Sequence, residues 1–350
     1  MIRNNSILAL ILLLAVPTSL FSQKATSSDI LIVGFYNLEN LFDTINQEEV
    51  NDEEFTPGGK NNWTHQRYTS KLNNMSRAIA DIGSKDGALN GPDILGVCEV
   101  ENRSVLDDLT KHATLAPEHY QIVHFDSPDK RGIDVALLYK KNAFEVLHTK
   151  TYKLNLTNPV NGESIETRDQ LVVSGKIKKQ KISILVNHWP SRMGGELRSQ
   201  PLRLAAAQLS RHIIDSLLEA DSLANIIVMG DFNDDPTNLS TKDYLQANFF
   251  ADSLAKEQLY NPSASIFMQG KGSLQYRGKW NMFDQIFLSG NLLTENKKEY
   301  SFSHFEVENT PYLFEQEGKF KGYPHRTFAG GNFLNGFSDH LPVYIVLKHQ

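Results

Sequence analysis

The sequence contains one cysteine in 350 residues, Cys98. A lone cysteine cannot close an internal disulfide, so no cystine framework holds this chain together. Its setting in the apolar run DILGVCEV suits a small buried side chain. No later apolar run reaches the ~20 residues that span a bilayer, so no stable membrane insertion is expected. There is no internal repeat and no long low-complexity tract. Positive charge is not in excess: 35 Lys+Arg stand against 41 Asp+Glu, a formal net charge of −6. That balance disfavours nonspecific binding to nucleic acid, although a bound divalent cation and a few arginines can reverse the field locally. Several hydrolase signatures are missing too. GFSDH lacks the final glycine of G-x-S-x-G, which excludes a nucleophile elbow. No H-E-x-x-H occurs, and GSLQYRGKW has neither the spacing nor the Ser/Thr of a phosphate-binding P-loop.

What is present begins with a leader. Residues 1–22 carry Arg3, an apolar run from Ile7 to Val16 and then small residues, the pattern of a cleaved secretory signal. The mature protein is expected to be secreted or periplasmic, with a net charge of about −7 once Arg3 is gone. The remainder, 29–350, shows no linker and reads as one domain. Its composition, 40% hydrophobic and 22% charged, is ample for a large core.

Strands alternate with helices along the chain. DILIVGFYN (29–37) reads as a strand, followed by a polar loop to residue 62. Thr64 precedes a helix whose apolar positions Tyr68, Leu72, Met75, Ile79 and Ile82 recur at spacings of three and four, with Gly83 as its stop. Further strands are expected at 93–100, 120–125, 134–140 and 144–154, and a short helix at 103–112. DQLVVSGKI and KISILVNHW face each other across Lys178 to Gln180 as a hairpin. A helix from Glu196 to Glu219 carries Leu202, Ala206, Leu209, Ile213 and Leu217 on one face. Strands at 225–232, 282–289 and 342–347 complete a mixed α/β (α+β) pattern with more than one sheet layer.

The polar residues gather where these strands end. Asn37 and Glu39 close the first and Glu99 the second. SILVNHW ends in His188, and IIVMGDFN ends in Asp231 and Asn233. Asp284 opens DQIFLS, and Asp339 and His340 precede the last strand. Any one of them suits a turn. Five carboxylates brought together would repel by about 1 kcal/mol or more per close pair, so such a cluster needs a cation. An all-oxygen ligand set favours Mg²⁺, with Mn²⁺ or Ca²⁺ as alternatives, over Zn²⁺.

These segments resemble the endonuclease/exonuclease/phosphatase superfamily, the deoxyribonuclease-I-like proteins. FYNLEN looks like its first-strand motif, LGVCEVEN its metal-glutamate motif and VNHWPS its histidine segment. MGDFND resembles its Asp-x-Asn segment, FDQIFL its Asp-then-strand segment and SDHLPV its closing motif, all in the family's order. YNLENLFD and RGIDVALLY are similar to an exported bacterial subgroup. The resemblance implies two packed mixed β-sheets flanked by helices, a four-layer sandwich with the site at one edge. It implies Glu99 as main metal ligand, with Asn37, Glu39 and Asp339 near the cation. It implies a His340–Asp284 pair, with Asp231 holding or deprotonating water, Asn233 donating to a phosphate oxygen and His188 stabilising the phosphate. His340 and Asp231 both remain candidates for the base. Glu39, Glu99, Asp231, Asp284, Asp339, His188 and His340 should therefore converge in one pocket, His340 facing a wet site.

Arg131, Arg168, Arg192 and Arg326, with Ser191, are candidate phosphate contacts, since guanidinium groups pair bidentately with phosphate. Trp63, Trp189 and Tyr323 could stack on a base or a lipid headgroup. The expected activity is exported, divalent-metal-dependent phosphodiester hydrolysis by a monomer, with nucleic acid as first substrate. A sphingomyelinase-like lipid phosphodiesterase, a phosphomonoesterase and a non-catalytic binding protein on the same fold are the alternatives.

Overall fold

The computed structural model describes residues 30–158, 160–295 and 298–349. The leader read at residues 1–22 lies outside them. Thirteen strands build two large sheets: β1 (Ile30–Leu41), β2 (Ile94–Val100), β3 (Gln121–His124), β4 (Asp134–Tyr139), β5 (Glu145–Tyr152), β6 (Gln170–Ile177), β7 (Gln180–His188), β8 (Ile226–Asp231), β9 (Ala247–Asn248), β10 (Leu259–Tyr260), β11 (Asp284–Ser289), β12 (Tyr300–Val307) and β13 (Val343–His349). The first sheet runs β12-β13-β1-β2-β4-β3 and the second β9-β10-β11-β8-β7-β6-β5. Four helices accompany them: α1 (His65–Asp81), α2 (Arg103–Lys111), α3 (Glu196–Ala220) and α4 (Ser263–Met268).

Alternation along the strands sorts their side chains into layers. Leu31, Val33 and Phe35 of β1 join Leu137, Val173, Val186, Met229 and Ile345 in a core between the sheets. Ile32 and Tyr36 point the other way, against Met75 and Ile79 of α1 and Leu106 and Leu109 of α2. On the far side, Leu185 and Val228 pack on Ala206, Ile213 and Ile214 of α3. The order helix, sheet, sheet, helix gives the expected four layers.

Local rules fix several boundaries. Thr64 caps α1 by accepting from the Arg67 N–H, and Gly83 sits at φ 74 just past its end. Asn102 caps α2 through the Val105 N–H. The tight hairpin between β6 and β7 pairs Ile177 with Gln180. Cys98 is a free buried thiol, and Trp63 and Trp189 are core residues with no exposed surface.

Three expectations are corrected. β1 runs past residue 37 to Leu41, because Leu38 and Leu41 are buried even though polar residues surround them. β12, unread in the sequence, adds an edge strand whose partly buried face alternates weakly. The buried face of α3 holds Ser199, Arg203, Ala206, Ala207, Ser210 and Arg211, while Leu202, Leu209 and Leu217 are only partly covered. Ion pairing drives that rotation: Arg203 is wholly buried against Asp234, Nε to Oδ1 at 2.7 Å. The pair bolts α3 to the loop that follows β8.

Each sheet has a long parallel pair at its centre, β1–β2 and β7–β8, and the second adds the short parallel pair β9–β10. The antiparallel neighbours β13, β4, β11 and β6 of the long pairs begin where those pairs end. All eight ends therefore lie along one rim of the sandwich. Gly230 marks how closely the strands run there: a Cβ on it would stand 2.3 Å from the Asn187 carbonyl of β7. A backbone oxygen inside the sheet cannot move aside. Gly230→Ala is expected to lower stability by about 1–3 kcal/mol, measured by chemical denaturation. Gly58→Ala, where nothing lies within 4 Å, should change it by far less.

Candidate active site

The rim brings together what the sequence kept apart. Asn37 Nδ2 donates to Asp231 Oδ2 at 3.1 Å, joining the first sheet to the second. His188 Nε2 lies 3.8 Å from Glu99 Oε1 and 3.7 Å from Asp231 Oδ2. His340 Nδ1 sits 2.6 Å from Asp284 Oδ2, and its Nε2 lies 3.8 Å from Asp231 Oδ2 and 4.0 Å from Asp339 Oδ1. Asp231 Oδ2 thus faces three of the expected residues at once, while Oδ1 accepts the Asn233 N–H at 2.9 Å. Within β8 and β11, Asp231 pairs in register with Asp284, and with His188 of β7 on its other side.

Backbone distortion aims the acidic residues. Glu39 (φ 47), Asn40 (φ 54), Glu99 (φ 57) and Asn233 (φ 50) all occupy the left-handed region. Register slips between Asn37 and Leu41 and between Cys98 and Val100, as at a β-bulge. Such conformations cost about 1–3 kcal/mol each and persist only where the surroundings enforce them. Here the Asn37 Oδ1 holds the Glu39 N–H at 2.8 Å and Glu99 Oε2 holds the Asn40 N–H at 3.0 Å.

Charge is unevenly settled. Burial, and Asp339 beside it, push the Glu39 carboxyl up to about 7, against the pull of Lys71 and Arg326. Burial likewise raises Asp231 to about 7, with His340 opposing. Burial alone would strip His340 of its proton, but Asp284 and Asp231 outweigh it and hold the ring well above the usual imidazole range. His188 goes the other way: burial, with Arg168 and Arg131, keeps it neutral. One histidine is therefore a cation and its neighbour is not.

The rim is a candidate site for a divalent cation. Asn37, Glu39, Glu99 and Asp339 offer hard oxygen donors of the right kind. Among the described residues the carboxylates of Glu39, Glu99 and Asp339 do not form a triad within 4.8 Å. A spread of that kind suits an ion that keeps several waters and takes one or two carboxylates directly. Asp231, Asp284 and His340 do cluster within 4.8 Å, but a protonated ring has no lone pair to ligate with.

The expected arginines divide. Arg168 is buried and donates to Asp129 Oδ2 (2.9 Å) and the Trp189 carbonyl (2.8 Å), leaving its Nε without a partner. Arg131, half-exposed, stands beside the same Asp129. With the exposed Ser191 they line a cleft of about 620 Å³. Arg192 turns inward to the Asn233 carbonyl, Glu196, Asp234, Asp235 and Asn238, so it braces the loop after β8. Arg326 bridges Glu39 (3.3 Å) and Asp339 (2.7 Å).

Four residues escaped the sequence reading. Lys71 reaches Thr327 Oγ1, the Phe337 carbonyl and, at 4.0 Å, Glu39. Its signal was present: it shares the buried stripe of α1 with Tyr68 and Met75. Ser273 donates to Asp284 Oδ2 at 2.5 Å and Ser338 donates to the Asn37 carbonyl at 2.7 Å. Asp129 holds Arg168, with no local signal to mark it.

His340 does not face open water as expected. It is 7% exposed and its partner Asp284 is fully buried, because the hairpin containing Ser273 closes over both. His340→Ala should therefore cut kcat by roughly 10² or more and also lower stability by about 3 kcal/mol, by leaving Asp284 unpaired. Adding Asp284→Asn should recover much of the stability and none of the activity. Denaturation and steady-state kinetics on the same preparations check both.

Comparison with known proteins bears on the family and the fold. The family model described as Endonuclease/Exonuclease/phosphatase family matches residues 32–349. No curated protein sequence matches the chain. Among solved structures, a mannosyl-6-phosphatase of Bacteroides thetaiotaomicron is similar at TM-score 0.55 and 16% identity, over 91% of this chain and 99% of that one. TDP2 of D. rerio complexed with a single-strand DNA product is similar at TM-score 0.52 and 14% identity, over 91% and 99%. A further endonuclease/exonuclease/phosphatase family protein from B. thetaiotaomicron gives 0.53 at 16%, over 92% and 98%. At these identities the likeness is one of fold.

Proposed function

The chain belongs to the endonuclease/exonuclease/phosphatase family, phosphoric ester hydrolases by class, and from that premise we propose an exported, divalent-metal-dependent phosphodiesterase acting on nucleic acid. The observation that carries the chemistry is the convergence of Asn37, His188 and His340 on Asp231 Oδ2. Asp231, raised to about 7, is a base poised near working pH. The Asn233 N–H and the Asn37 amide fix its two oxygens, and it takes the proton of the attacking water. His340 is charged and so cannot serve as that base. It donates instead to a phosphoryl oxygen, where its charge offsets what develops in the transition state. Asp284 holds the ring in place and keeps it charged.

His188 is neutral and offers a hydrogen bond without adding charge. Asn233 gives one amide hydrogen to the Trp189 carbonyl at 3.0 Å and has a second for the phosphate. A divalent cation held by Glu99, with Asn37, Glu39 and Asp339 near it, would polarise the phosphoryl oxygen and neutralise charge. Arg131, Arg168 and Ser191 in the first cleft contact the neighbouring phosphate, while Arg192 and Arg326 support the loop and the acidic residues.

A diester has groups on both sides of the phosphorus. Two clefts that share no lining residue meet the rim, one at Arg168 and one at Asp339, which favours a diester over a monoester. A lipid-docking role gains less support. Leu313 of YLFEQ is buried, and Phe250 of NFFADSL stands exposed alone. No helix among the described residues is long and apolar enough to cross a membrane. We further propose that the leader at 1–22 is cleaved on export and that 29–350 acts as one monomeric catalytic unit.

EDTA should abolish activity, and Mg²⁺ or Mn²⁺ should restore it. From acid pH upward, kcat/KM should rise as Asp231 loses its proton, with its midpoint near 7 and a plateau above it. It should fall again at alkaline pH, where His340 loses its own. A panel of DNA, RNA, bis-p-nitrophenyl phosphate, sphingomyelin and mannose 6-phosphate decides the substrate. Faster turnover of the sugar monoester than of every diester would overturn the proposal.

A further inference from the structure

We infer that the cleft beside Asp339 is a nucleobase subsite, where exposed aromatic rings stack the base next to the hydrolysed phosphate and Gln275 meets its edge. The inference rests on the phosphodiesterase reading and names the part of the substrate this side of the site receives. The cleft encloses about 390 Å³, enough for a nucleoside. It adjoins the rim at Asp339. Arg326 and Asp339 form part of its wall, and Leu274, one residue before Gln275, bridges to His340 in an isolated β-pairing.

Its walls mix exposed aromatic rings with charged side chains. Tyr276 and Phe320 are 60% and 46% exposed, an unusual cost for two large rings on one face unless something covers them in use. Phe320 packs edge-on against Tyr323, centroids 5.5 Å apart. The Tyr323 hydroxyl accepts the Gly278 N–H at 2.7 Å, tying one wall to the hairpin that forms the other. The Arg277 guanidinium lies 5.2 Å from the Tyr276 ring and the Lys319 ammonium 5.5 Å from the Phe320 ring. Rings flanked by cations are the arrangement that holds single-stranded nucleic acid.

The polar partner is Gln275, which lines the cleft. A glutamine amide can both donate and accept, as pairing with adenine requires.

The test is calorimetric titration of the full protein with adenosine 5′-monophosphate and with ribose 5-phosphate, in wild type and in Tyr276→Ala/Phe320→Ala. Both rings are largely exposed, so the variant should melt like wild type. Wild type should bind the nucleotide at least about tenfold more tightly than the sugar phosphate, the scale of one stacked base. The variant should bind both alike. Equal binding by wild type, or a preference that survives in the variant, overturns the subsite. Hydrolysis of bis-p-nitrophenyl phosphate by the same wild-type sample reports the activity separately. Diester turnover without a base preference sinks the subsite alone. A base preference without diester turnover supports the subsite and sinks the phosphodiesterase reading.

Discussion

Burying carboxylates side by side at the seam between two sheets is the constraint on which this rim is built. Two unit charges 4 Å apart repel by about 1 kcal/mol in water and several times that near protein. Burial first, and neighbouring carboxylates after it, raise Glu39 and Asp231 to about 7. The protein meets part of that cost from within. Lys71 approaches Glu39 from α1, Arg326 spans Glu39 and Asp339, and His340 stays charged between Asp284 and Asp231. Desolvation lowers Lys71 to about 8, so even this counter-charge is held at some expense. A divalent cation at the rim would offset more of the repulsion.

The same rim holds strained backbone. Left-handed conformations at Glu39, Asn40, Glu99 and Asn233 fall on the candidate site residues or next to them. They survive because the strands leading to them are pinned in three apolar layers and because side chains of the same sheet hold the Glu39, Asn40 and Asn233 amides. Stability is thus drawn from the core and spent at the edge. The Arg203–Asp234 and Arg168–Asp129 pairs belong to this economy. Each is buried and sits beside a functional loop, fixing its position more than adding to net stability.

The two clefts divide the surroundings of the phosphorus by chemistry. The Arg168 side is cationic, with a buried guanidinium that retains an unpartnered Nε. The Asp339 side is aromatic, with Gln275 in its lining. A phosphodiester strand crossing the rim would meet backbone-reading groups on one flank and a base-reading surface on the other, an asymmetry that would set polarity on the substrate.

The sequence alone determined the two-sheet α/β class, most strand positions, and the strand-end acids and histidines, because period-two burial and polar strand ends are local signals. His340–Asp284 pairing was legible from the order of motifs. Local pattern could not show the rotation of α3, since Arg203 reads as solvent-facing until Asp234, from the loop after β8, is placed against it. Nor could it separate Arg192, which braces a loop, from Arg131, which stays half-exposed: both are arginines in polar loops. Only the tertiary structure set which histidine is charged, because that depends on burial and on carboxylates contributed by other strands. It alone placed Lys71 behind Glu39, anchored on Thr327 and Phe337 far along the chain, and Gln275 in its cleft, through contacts between segments distant in sequence.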